Sequence, residues 1–173
     1  MGKIMRMSKA NVYNWIKKPN EIWVSEQTFL DVFELDELYW FIERKARTDT
    51  RENTYAMTMI IREPRQIVGF AVATDKSPDR IQTIVDSAPK AQSYCADGYL
   101  GYVDNVCPGR HIRNICNKND TFTVEGINAD IRHYIPMLAR RSRCFYRKIE
   151  TLEAVLAVFT NVYNKFGVAK FKH

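Results

Sequence analysis

Three apolar segments follow one another between Phe33 and Ala73, and they constrain the fold more than any other feature of the chain. Phe33 to Ile42 (FELDELYWFI), Tyr55 to Ile61 (YAMTMII) and Ile67 to Ala73 (IVGFAVA) are apolar, partly aromatic runs of strand length. Between the second and third, Glu63-Pro64-Arg65-Gln66 makes a hairpin-type turn. Strands in direct succession predict an antiparallel meander.

The period then changes. Ser77-Pro78-Asp79 opens a helix with Ile81, Ile84, Val85 and Ala88 on one face, and Pro89 ends it. Gln92 to Ala96 reads as a short strand stopping at Asp97-Gly98, and Arg110 to Ile115 as a fifth. Two helices follow. One is expected from about Thr123 to Ala139, with Pro136 kinking or ending it. The other runs from Ile149 to Phe166, where Ile149, Leu152, Leu156, Phe159, Tyr163 and Phe166 recur at spacings of three and four before Gly167. This order predicts an α/β domain of the RNase H-like type: a mixed sheet, three antiparallel strands then parallel ones, with helices on both faces.

Ahead of the sheet, Ser8 is placed to cap a helix reaching Lys18, and Pro19-Asn20 stops it. Its polar residues Lys9, Asn11, Asn14, Lys17 and Lys18 project outward, as on the second helix of a helix-turn-helix. The same pattern also suits a helix docked on the main domain.

With 173 residues, 46% hydrophobic, the chain can bury one substantial core and is not a disordered polymer. No apolar stretch approaches membrane-spanning length and no secretory segment opens the chain, so a soluble cytoplasmic protein is expected. The net charge of +6 is uneven. Residues 1–20 carry five basic and no acidic side chains, residues 21–100 nine against 14, and residues 101–173 twelve against six. Basic ends around an acidic middle suit a protein that attracts a polyanion and holds divalent metal at its centre, although a merely soluble basic protein looks the same by charge. Cys95, Cys107, Cys116 and Cys144 form no CxxC pair and are expected to be reduced thiols filling the core.

Phosphodiester cleavage at neutral pH needs an activated nucleophile and charge neutralisation at phosphorus. Two divalent ions about 4 Å apart supply both, and carboxylate oxygens hold hard cations such as Mg²⁺. Three carboxylates answer that requirement. Asp36 interrupts an apolar strand, where a charge is costly unless something pairs with it. Asp31 and Glu34 are alternatives, and Glu34 shares the Asp36 face by strand alternation. Asp97 ends the fourth strand before Gly98, although Asp-Gly is also an ordinary turn dipeptide. Glu125 opens a helix, where it could merely complement the helix dipole, and Gly126 beside it removes bulk near a substrate. Asn128 and Arg132 lie three and seven residues after Glu125, so all three share a helix face suited to a metal flanked by phosphate.

The segments FELDELYWFIE, YCADGYLGYVD and DTFTVEGINADIRHYIPMLARRSRCF resemble those of the insertion-sequence-one family of bacterial DDE transposases. The similarity runs from the N-terminal helix to NKFG near the end, and Glu125 to Arg132 matches the Glu-x6-Arg/Lys pattern of DDE enzymes. The resemblance implies an RNase H-like catalytic domain over residues 21–173 with Asp36, Asp97 and Glu125 holding two Mg²⁺ or Mn²⁺ ions. It implies cleavage at transposon ends and transfer of the freed 3′-OH into target DNA, so double-stranded DNA as partner, and a homo-oligomer. Asn128 and Arg132 would lie near the terminal nucleotides. Arg140, Arg141, Arg143, Arg147 and Lys148 would make phosphate contacts, a solvated loop being the alternative, while His111 and His133 are expected to be structural. The family's N-terminal zinc-binding CxxC pairs are missing, so residues 1–20 are expected to be a helix-turn-helix remnant. The alternatives are a truncated, inactive DNA-binding or inhibitory product of an insertion element, and an RNase H-like nuclease unrelated to transposition.

Overall fold

A computed structural model of the chain describes residues 8–18, 21–24, 32–41, 53–97, 107–113, 120–138 and 148–167. Helix α1 (Lys9–Lys17) is followed by strands β1 (Val32–Phe41), β2 (Asn53–Ile61) and β3 (Gln66–Ala73), helix α2 (Pro78–Ser87), and strands β4 (Ser93–Ala96) and β5 (Arg110–Arg113). Helix α3 (Phe122–Tyr134), a 3-10 turn (Pro136–Leu138) and helix α4 (Ile149–Phe166) complete it. The five strands form one sheet in the order β3-β2-β1-β4-β5. The β1–β2 and β2–β3 pairs are antiparallel, whereas β1–β4 and β4–β5 are parallel. The expected mixed α/β sheet is therefore present. No helix among the described residues is long and apolar enough to cross a membrane.

Strand alternation sorts the core into two layers. Leu38, Ala56, Ile60 and Ile67 face Val124, Ile127 and Ile131 of α3 and Leu152, Leu156 and Phe159 of α4. Phe33, Leu35, Met57, Met59 and Ile61 point the other way, onto Ile81, Ile84 and Val85 of α2. One-residue steps in β1 thus switch side chains between the α3 and α2 sides. Helices cover both faces, as the period change in the sequence requires.

Local signals explain the boundaries. The Ser8 Oγ accepts a hydrogen bond from the Asn11 amide at 3.2 Å, capping α1 as expected. That helix rests on α4 through Val12 against Val158 and Val162, flanked by Trp15 and Phe166. Pro136 ends α3 rather than kinking it. The α-helix stops at Tyr134, so the expected span to Ala139 was too long, and a 3-10 turn carries Leu138 into the core. Gly109 allows β5 to start beside β4, since a Cβ there would lie 2.3 Å from the Gln92 carbonyl oxygen. Asn164 of α4 fastens β3: its amide donates to the Ile67 and Trp23 carbonyls and accepts from the Ile67 N–H, each at 2.8 Å.

Candidate metal centre

Strand β1 carries Glu34 and Asp36 on the α3 side, and the structure gives them different work. Glu34 is fully buried. One of its oxygens accepts the Thr123 and Val124 amides at 2.9 and 2.8 Å, and the other accepts Arg62 Nε at 2.7 Å. These amides are among the orphan donors of a helix N-terminus, and Thr121, the N-cap, makes no side-chain capping bond. A carboxylate from another strand does the capping, with favourable helix-dipole electrostatics. Both oxygens of Glu34 are thus engaged in holding α3 and Arg62, which makes it a poorer candidate metal ligand than Asp36. Asp31, the other alternative, lies outside the described residues.

Asp36 is only half-buried and is held by a relay from two elements. Thr58 of β2 donates its hydroxyl to Asn128 Oδ1 at 2.9 Å, and Asn128 Nδ2 donates to Asp36 Oδ2 at 2.9 Å. The carboxylate, which only accepts, fixes the Asn128 NH2 toward Asp36, and the Thr58 hydroxyl satisfies the amide oxygen on the other side. The sequence places Asn128 among DNA contacts. Its side chain is buried, and its amide faces Asp36 and Thr58.

Asp97 joins Asp36 because of strand register. The parallel β1–β4 pairing ends at Leu35↔Ala96, so Asp97 follows β4 at the level where β1 reaches Asp36 and Glu37. Beyond that last pair, side chains from either face of β1 can turn toward Asp97. One carboxylate oxygen each from Asp36, Glu37 and Asp97 lies within 4.8 Å of the others. Glu37 is a member that the sequence did not identify, because alternation assigns it to the opposite face from Asp36. Glu125 is outside this trio, one helical turn before Asn128 on α3, and its charge is felt at Asp36. Gly98 lies outside the described residues. Beside Gly126, the only neighbour among the described residues within 4 Å of where a Cβ would be is the tip of Arg65, whose Nη2 lies 3.1 Å away.

The site's electrostatics fit a cation. Burial raises the pKa of Asp36, the Glu37 amide and Asn128 lower it, and the charges of Asp97 and Glu125 raise it again. Burial also raises Glu37; Lys76 opposes this, and Asp36 and Asp97 add to it. Lys76 Nζ stands 3.5 Å from Glu37 Oε1, yet that buried oxygen has no hydrogen-bond partner. The contact is thus an ion pair at the edge of bonding distance, which leaves acceptor capacity unfilled. Crowded carboxylates with an unfilled buried oxygen offer the hard donor set that Mg²⁺ or Mn²⁺ requires. The cluster of Asp36, Glu37 and Asp97 could hold a metal ion.

Other expected site residues are scattered. Arg132 is half-buried on α3. Lys17 and Lys18 are exposed at the end of α1, Lys17 over the Tyr13 ring at 4.7 Å and Lys18 paired with Glu21. His133 is exposed against Tyr134, and His111 is half-buried on β5. Lys148 is exposed ahead of α4, while Arg140, Arg141, Arg143 and Arg147 lie outside the described residues. Cys95 and Cys107 are free thiols, Cys95 buried and Cys107 half-buried, as expected; Cys116 and Cys144 lie outside the described residues. No family model matches the chain, and no curated protein matches it.

Proposed function

We propose that the chain is an RNase H-like, metal-dependent polynucleotidyl transferase, a DDE transposase similar to those of the insertion-sequence-one family. The observation that carries this reading is the meeting of Asp36 and Asp97 from neighbouring parallel strands, with Glu125 close enough on α3 to raise the Asp36 pKa. Asp36, Asp97 and Glu125 would hold two Mg²⁺ or Mn²⁺ ions, with Glu37 beside them. When bound, such ions activate water at neutral pH and neutralise charge building on the phosphate. Asn128 keeps Asp36 aimed at the site, and Arg132 bonds a phosphate near the terminal nucleotide. Basic side chains of α1 and residues 140–148 hold the duplex by its phosphates. The reaction hydrolyses the strand at each transposon end to free a 3′-OH; that 3′-oxygen then attacks a phosphodiester of target DNA and displaces the target's own 3′-oxygen, which leaves as a 3′-OH, on a paired, homo-oligomeric assembly.

The test is nicking of supercoiled DNA with Mg²⁺ or Mn²⁺ by the parent and by Asp36→Ala, Asp97→Ala and Glu125→Ala. Parent activity that each substitution abolishes, with joined strand-transfer products, supports a transposase. Nicks without joining point to a plain nuclease. Retained DNA binding without cleavage assigns the chain to the inactive, inhibitory class instead.

A further inference from the structure

The largest exposed hydrophobic side chain on the helix that carries Glu125 is Phe122, 59% exposed at the first position of α3. A lone exposed apolar residue is ordinary on a protein surface. Phe122 differs in how firmly its position is held and in what lies next to it. Glu34 fixes the two amides that follow it, and Arg62, bonded to Glu34, also donates to the Asp120 carbonyl at 3.2 Å. The same guanidinium lies under the phenyl ring, its carbon 5.2 Å from the ring centroid. The ring is therefore braced by a cation at the start of a pinned helix. Glu125 lies three residues on, so ring and carboxylate occupy the same flank of α3 one turn apart.

We infer that Phe122 is a stacking platform for an unpaired nucleobase of the strand that reaches the carboxylates. This rests on the reading of the chain as a DNA-processing enzyme. An aromatic face accepts any base, and the guanidinium beneath it, held by Glu34, braces the ring for stacking. The platform holds a base displaced from its duplex, and so sets how the strand enters the site without reading its sequence. The carboxylates act on the phosphate; Phe122 positions the nucleotide.

The experiment is anisotropy titration of a fluorescein-labelled oligothymidylate, and of a labelled duplex, in Ca²⁺ buffer. The proteins are the parent, Phe122→Ala, Phe122→Leu and Phe122→Trp. Stacking on one aromatic ring changes single-strand affinity by roughly 5- to 150-fold, so Phe122→Ala and Phe122→Leu are expected to bind the oligothymidylate about tenfold more weakly. Duplex affinity should stay at the parent value. Phe122→Trp should bind like the parent, and the emission of its added indole should be quenched by the oligothymidylate. Because Leu keeps apolar bulk, parent-like single-strand binding by Phe122→Leu would overturn the platform, as would unquenched indole emission. If the parent nicks DNA while Phe122→Leu binds single strands fully, the platform alone fails. A parent that neither nicks DNA nor binds single strands overturns both the platform and the function on which it rests.

Discussion

Glu34 and Asp36 sit two residues apart on one face of one strand, yet their removal should have opposite consequences for stability. In Glu34→Ala the Thr123 and Val124 amides lose their shared acceptor and Arg62 loses its closest carboxylate. Breaking a buried ion pair costs about 3–5 kcal/mol, and each orphaned buried donor adds its own penalty. Arg62 is 29% exposed and can recover some hydration, which argues for the lower end, about 3 kcal/mol. For a chain of this size that corresponds to a fall in Tm of roughly 6–12 °C. Glu34→Gln keeps an oxygen for the two amides but turns an NH2 donor toward the Arg62 Nε–H. It loses the ion pair and its hydrogen bond while α3 stays capped, so its Tm should fall less than that of Glu34→Ala. The assay is thermal unfolding by circular dichroism of metal-free protein. A Glu34→Ala Tm within about 2 °C of the parent would refute the assignment of Glu34 as the anchor of α3.

Asp36→Asn should instead stabilise the metal-free protein, because it removes a half-buried charge crowded by Asp97 and Glu125 while Asn128 keeps an oxygen to bond; Tm is expected to rise by roughly 2–4 °C. The pH dependence follows from the same cause. Asp36 and Glu37 are both raised above their ordinary values of 3.8 and 4.5, so the stability they contribute is complete below those values and lost as pH rises through the raised ones. Saturating Mg²⁺ should flatten that decline, and unchanged melting profiles with and without Mg²⁺ would contradict it. Asn164→Ala deletes two buried hydrogen bonds to Ile67 and a part-buried one to Trp23, and should lower the urea midpoint by the equivalent of about 2–4 kcal/mol with an unchanged slope. Gly109→Ala drives a methyl group into the Gln92 and Ala91 carbonyls and should cost more than about 2 kcal/mol by thermal melting. Gly126→Ala meets only the tip of exposed Arg65 and should be neutral or stabilising by up to about 1 kcal/mol through helix propensity. Equal melting of the two alanine variants would show that the distinction between backbone and side-chain neighbours is wrong.

Much of the fold was legible because each segment has one dominant signal. The spacing of Leu152, Leu156, Phe159 and Tyr163 with Gly167 behind it defines α4 to the residue. Alternation places Leu35 and Leu38 on opposite sides of the sheet, as the two core layers show. The extent of α3 was less legible, since Pro136 permits a kink or a stop and only the docking of Leu138 decides between them. At the site, Asp36 stood out as a charge in an apolar strand, but alternation could not separate it from Glu34. What separates them is tertiary: the start of α3 falls over Glu34, and Asn128 falls over Asp36. Glu37 was missed because the two-residue period excludes it. It reaches the Asp97 carboxylate only where β1 runs past the end of β4, a matter of strand length and register.

Carboxylates from β1 and the end of β4 could hold a divalent cation next to Glu125, and iron-directed cleavage tests this most directly. Fe²⁺ substituted for Mg²⁺ in the full chain, with ascorbate and peroxide, generates hydroxyl radicals at the bound ion and cuts the backbone beside it. The expected fragments end near Asp36, Asp97 and Glu125; excess Mg²⁺ and Asp36→Ala should each suppress them. Cleavage confined to other parts of the chain, or cleavage at these positions that survives Asp36→Ala, would contradict the metal centre.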